Sequence, residues 1–334
     1  MKPRWYHGVA AAIALVAAAT SFLVIRARTR ERSDIVIGTW AEMENKSWNL
    51  PNLDEAQVVV PDRPHDPAEA DAHRRGASTM KRVRRFTVST NADHLRMGPI
   101  GAKVAGRLRI AALGDSVTFG WGVRPEEGWV PLLEAELKKR GHDVELINAG
   151  SPGAPTASMA AWCRTQARKL EVDRILWVRR VPPPHMGGAA SVAEGLRACT
   201  AVVSQRPLFL LPPISRFDLR GRLEGAREGG QVTAMLGPDW SSHDLTDSFR
   251  AAQGQKGEDL KVEGGQLSVV DLESGKAWLT VPGAPAGPLP AGVSELFERE
   301  PDVAEALMYD GGHPDVEGNV VMARLIADIV EPTL

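Results

Sequence analysis

The chain has 334 residues, with 40 Lys and Arg against 42 Asp and Glu and a formal net charge of -2. That balance gives no electrostatic reason to expect nucleic-acid binding, and 43% hydrophobic residues are an ordinary globular value that allows a sizeable core. The length fits one large or two small domains, and two cysteines, Cys163 and Cys199, are too few for a disulfide framework or a zinc site. They read as buried free thiols, with pairing the alternative if the domain lies outside the cytoplasm.

Residues 1–32 stand apart from the globule. A basic start (Lys2, Arg4) precedes an uncharged, mostly apolar run from Gly8 to Ile25, and Arg26, Arg28, Arg30 and Arg32 close it. Such a run, about 18 residues, is just long enough to span a bilayer. A cleaved signal peptide is the alternative, with Ala17–Ala19 as its small-residue site, but Phe22 to Ile25 carry the apolar run past it. The segment is therefore expected to be an uncleaved, single-pass anchor. The arginine count favours a cytoplasmic domain, yet large domains translocate largely regardless of flanking charge.

Residues 33–84 are polar and rich in proline (Pro51, Pro61, Pro64, Pro67), which reads as an irregular tether. Order is expected from Arg85–Val88 onward, in a domain spanning 85–334. Strands at 108–113, 144–147, 174–178 and 208–211 alternate with helices at 128–140, 156–170 and 189–204, a rhythm that implies a parallel sheet covered on both faces. The rhythm breaks over 251–290, where 261–263, 267–270 and 277–280 suggest an inserted hairpin or small β-meander. A last amphipathic helix covers 316–330.

Parallel sheets bind ligands beyond the carboxyl ends of their strands. Gly114-Asp115-Ser116 lies at the end of the first strand of this rhythm, Asn148-Ala149-Gly150 after the second, and Arg179-Arg180 after the third. A serine hydroxyl attacks only when a base takes its proton. Among eight histidines, His313 is the best placed, immediately before the last helix in Tyr309-Asp310-Gly311-Gly312-His313-Pro314. Asp310, three residues earlier, can orient its imidazole. Taken singly, each residue has a plainer role: Ser116 as a turn or cap residue, Asp310 as a turn residue, His313 as an ordinary histidine. His185 and His243 are alternative bases that lack such a neighbouring carboxylate.

Three blocks together resemble the SGNH/GDSL hydrolase family: Leu113-Gly114-Asp115-Ser116-Val117-Thr118-Phe119-Gly120, Ile147-Asn148-Ala149-Gly150, and Asp310-Gly311-Gly312-His313-Pro314 followed by Gly318. Asn91 to Gly98 (NADHLRMG) is similar to a lead-in of its membrane-anchored members. The resemblance runs from about Phe86 to Val330 and implies a flavodoxin-like three-layer α/β/α fold. It further implies a nucleophile Ser116, a base His313 with Asp310 as its orienting acid, and backbone N–H groups of Ser116 and Gly150 in the oxyanion hole. One block departs. The family supplies an asparagine side chain after the third strand, whereas Val178-Arg179-Arg180-Val181-Pro182 holds none, leaving Arg179, Arg180 or His185 as substitutes.

The function expected is ester hydrolysis by a membrane-tethered domain, on acyl or O-acetyl esters of a small molecule, glycan or lipid, with no cofactor or metal. An O-acyltransferase would share the first half-reaction. A binding domain that has lost turnover is the third reading, prompted by the missing asparagine, because one fold serves both catalysis and binding.

Overall fold

The computed structural model describes residues 35–36, 56–61, 83–182, 187–214, 219–254, 258–263, 266–282, 307–308 and 313–334. The first strands form a small sheet: β1 (Ile35–Val36) runs parallel to β2 (Ala56–Pro61), which pairs antiparallel with β3 (Val83–Val88). The stretch read as an irregular tether therefore holds two strands. The register Val58↔Phe86 joins its Gln57-Val58-Val59-Val60 run to the start of the domain.

The central sheet comprises β4 (Leu108–Gly114), β5 (Val144–Gly150), β6 (Arg174–Val178), β7 (Leu208–Leu211) and β8 (Ser242–Asp244). All pairings are parallel, in the order β5-β4-β6-β7-β8. This second–first–third–fourth–fifth order is that of flavodoxin-like doubly wound sheets, whose ligand crevice opens between the first and third strands. Here that switch point is between the ends of β4 and β6, where Gly114 aligns with Val178.

The apolar runs alternate between two cores. Ala111, Leu113, Ile175, Trp177 and Phe209 pack beneath α3 (Thr156–Trp162), α4 (Gly188–Thr200) and Val232 of α5 (Leu219–Leu236). Ile110, Ala112, Leu176 and Leu210 face the other way, against α2 (Trp129–Lys139), α6 (Thr246–Gln253) and α7 (Val316–Val330). Strands buried on both faces read as near-continuous apolar runs, which is why they were visible in the sequence. The α5–β8–α6 stretch was not: α5 carries four glycines (Gly221, Gly225, Gly229, Gly230) that blur its period, and Ser-His-Asp carries no strand signal. The meander expected within 251–290 is present as antiparallel β9 (Glu258–Glu263), β10 (Gln266–Asp271) and β11 (Ala277–Pro282).

Cys163 and Cys199 are joined in a disulfide, which corrects the reading of free thiols. Cys163 begins a turn of π-helix after α3 and Cys199 lies in α4. Packing of these two helices brings the Cα atoms to 5.0 Å, within bridging range. The closed loop spans 36 residues, and the chain-entropy model gives it about 4 kcal/mol. A Cys163→Ala, Cys199→Ala double variant should lower the urea midpoint, and reductant should do the same to the wild type but not to the variant. Among the described residues no helix is long and apolar enough to cross a membrane, and the expected anchor, residues 1–32, lies outside them.

Candidate active site

The chain leaves β4 at Gly114 and turns at once into the single helical turn α1 (Ser116–Phe119). Asp115 caps that turn, its carboxylate accepting the Val117 N–H at 3.1 Å. The capping role open to Ser116 is thus filled by its neighbour, and the Ser116 hydroxyl is left for another partner. The turn ends at Gly120, whose φ of 79° is the left-handed conformation that favours glycine. Its body presses onto the end of β5, where a Cβ at Gly150 would overlap the Thr118–Phe119 backbone. Glycine at that position lets the two strand-end blocks meet.

The histidine arrives from a segment distant in sequence. Met308 and Pro314 form an antiparallel bridge, Asp315 N–H donates to the Leu307 carbonyl at 3.0 Å, and the Asp315 side chain caps α7 through Gly318 N–H at 2.8 Å. Asn319, 1% exposed, bonds the Pro314 and Asp315 carbonyls at 2.9 and 2.8 Å through Nδ2 and accepts the Trp129 N–H at 2.9 Å through Oδ1. The Trp129 indole N–H in turn donates to the Val117 carbonyl at 3.1 Å. One continuous brace therefore runs from the histidine loop through α2 to the serine turn.

The result is a contact between Ser116 Oγ and His313 Nε2 of 2.8 Å. Both residues are buried, at 9% and 4% exposure, so little water competes for the contact. Trp121 lies beside the imidazole with ring centroids 6.3 Å apart. Asp310 and His185 lie outside the described residues. His243 is not brought near: it sits on β8, three strand spacings or about 14 Å from β4. Burial also pushes its imidazole below the usual histidine value.

The two arginines after β6 differ sharply. Arg180 is held by a fork of bonds to Asp244 at 2.7 and 2.8 Å and by the Pro212 carbonyl at 2.7 Å. Burial pushes the Asp244 carboxyl up, but the Arg180 bonds outweigh it and hold the group below the usual carboxylate range. Arg179 is buried and turns instead towards the loop that follows Gly150, where Nη1 donates to the Ala154 carbonyl and lies 3.8 Å from Met159 Sδ. Gly150 N–H itself donates to Asn148 Oδ1 at 3.0 Å. Asn148 stood in the second block without an assigned role, and only its fold-back onto Gly150 reveals one. Among the described residues no three His, Cys, Asp or Glu side chains converge as metal ligands do.

No protein-family model matches the chain, and no curated protein matches it. Solved structures do resemble it. TesA shares 17% identity at a TM-score of 0.42 over 68% of this chain and 99% of its own. A lipase/acylhydrolase from Enterococcus faecalis shares 17% at 0.40, over 68% and 97%. The esterase EstA from Pseudoalteromonas sp. shares 15% at 0.41, over 67% and 97%.

Proposed function

We propose that this protein is a serine hydrolase of carboxylic esters, with Ser116 as nucleophile, His313 as general base and Asp310 as the acid that orients it. The observation that carries this reading is the 2.8 Å contact between Ser116 Oγ and His313 Nε2, buried at the carboxyl edge of a parallel sheet. The three blocks resembling SGNH/GDSL hydrolases support it. In the reaction, Nε2 takes the hydroxyl proton as Oγ bonds to the ester carbonyl carbon. The carbonyl π electrons move onto oxygen; the tetrahedral adduct then collapses, and the alcohol leaves with the proton from the imidazolium. Water, deprotonated by the same nitrogen, cleaves the acyl-serine and regenerates the hydroxyl.

The negative oxygen needs donors set in advance. The Ser116 N–H is the first of α1 and has no acceptor within its own helix. The Gly150 N–H serves as a three-centre donor shared with Asn148 Oδ1. Arg179 is the third donor, since Arg180 is occupied by Asp244 and Arg179 lies against the loop after Gly150. Arg179→Ala should lower turnover about a hundredfold with an unchanged circular dichroism spectrum. The same loss from Arg180→Ala instead would reverse the assignment.

The substrates are acyl or O-acetyl esters, and the domain stands outside the cytoplasm on an anchor formed by residues 1–32. The Cys163–Cys199 disulfide supports an oxidising compartment. Full-length protein should stay with membranes through a carbonate wash, and a chain starting after Arg32 should not. Fluorophosphonate labelling mapped to Ser116 tests the hydrolase reading directly, and an unlabelled wild type would overturn it.

A further inference from the structure

Arg96 is 3% exposed, and its guanidinium donates to four backbone carbonyls. Nη1 donates to the Phe119 and Gly120 carbonyls at 2.6 and 2.5 Å, the last of the serine turn. Nη2 donates to the Thr87 carbonyl of β3 at 2.9 Å and to the Val123 carbonyl beyond the turn at 2.6 Å. The guanidinium also lies 4.6 Å from the Phe119 ring centroid and 5.7 Å from that of Phe86. Phe86 meets Trp121 edge-on at 5.0 Å, and Trp121 is the neighbour of His313.

A single turn of helix has too few bonds to hold itself, because nucleation fixes several residues for one bond. The turn that carries Ser116 must be held from outside. Arg96 does this at its carbonyl end, where a cation is favourable, and its planar fork ties three separate segments together at once. The loop that presents it is built for the purpose. Asn91 Oδ1 accepts the Asp93 and Leu95 N–H groups at 3.0 Å, Asn91 Nδ2 donates to the Gly98 carbonyl at 3.0 Å, and His94 adopts a φ of 65°.

We propose that Arg96 is a positioning residue for the nucleophile: its guanidinium fixes the Ser116 turn, and with it the direction of Oγ and of the Ser116 N–H. The proposal rests on the hydrolase reading above. Lysine keeps the charge but offers one ammonium, which cannot span carbonyls on both sides of the fork. Arg96→Lys is therefore expected to lower kcat for p-nitrophenyl acetate 10- to 100-fold, on the order expected for a displaced reacting group, with KM within about twofold. The rate of fluorophosphonate labelling should fall in parallel. Arg109→Lys is the control. Arg109 is equally buried, bonded to Glu145 and to the Leu170 and Gly101 carbonyls at the opposite end of β4, and its loss should lower the melting temperature while leaving kcat unchanged. If Arg96→Lys does not fold, Asn91→Ala, which loosens the presenting loop but keeps the guanidinium, should show the same kcat-selective loss at smaller size. Unchanged kcat in the folded variant, or equal kcat losses in Arg96→Lys and Arg109→Lys, overturns the positioning role alone. A wild type that neither labels nor turns over the ester overturns the hydrolase reading and this proposal with it.

Discussion

Ser116→Ala is expected to reduce hydrolysis of an activated acetyl ester by at least about a thousandfold and to abolish fluorophosphonate labelling. The side chain loses only one oxygen, and the turn around it is held by groups that the change leaves in place. Asp115 still caps Val117, and Arg96 still binds the Phe119 and Gly120 carbonyls. Stability should therefore move little, because the hydroxyl's described partner is the His313 imidazole. What disappears is the atom that forms the acyl bond. Any residual rate comes from polarisation of the carbonyl by the backbone donors. A variant within tenfold of wild type would remove Ser116 from the mechanism.

His313→Ala should cost nearly as much, since nucleophile and base act as one unit and their losses do not add. The double variant Ser116→Ala, His313→Ala should be no slower than either single one. Asp310→Asn should cost less than His313→Ala, since it leaves the imidazole in place and disturbs only its orientation. If His243→Ala abolished turnover while His313→Ala did not, the base would have been misassigned, against a separation of about three strand spacings.

The central sheet was legible because its strands are buried on both faces and announce themselves as apolar runs between amphipathic helices. The serine turn was legible as a turn because glycine and aspartate at a strand end favour one, and only its combination with the two other blocks set it apart. Other features depend on partners distant in sequence. Nothing local distinguishes Arg179 from Arg180: only Asp244, on a strand too short and polar to be foreseen, claims one and leaves the other. The cysteines are paired by the way α4 packs on α3, a tertiary fact with no sequence signal. Arg96 lies within NADHLRMG with no role legible there, since an arginine that binds carbonyls looks, in sequence, like one that faces solvent. Residues 219–253 were missed because glycine and charge there hide a helix whose place is set by contact with β8.

The brace from Asn319 through Trp129 to Val117 joins parts of the chain that leave the ribosome far apart in time. Ser116 is synthesised 197 residues before His313, and α7, which seats the histidine loop, follows later still. The Ser116–His313 contact therefore cannot form until the segment around residue 313 has emerged: a nascent chain that stops short of it holds the serine turn without its imidazole partner. In refolding, the docking of α7 against α2 is the contact that draws the two side chains together, and fluorophosphonate labelling should appear no earlier than that docking.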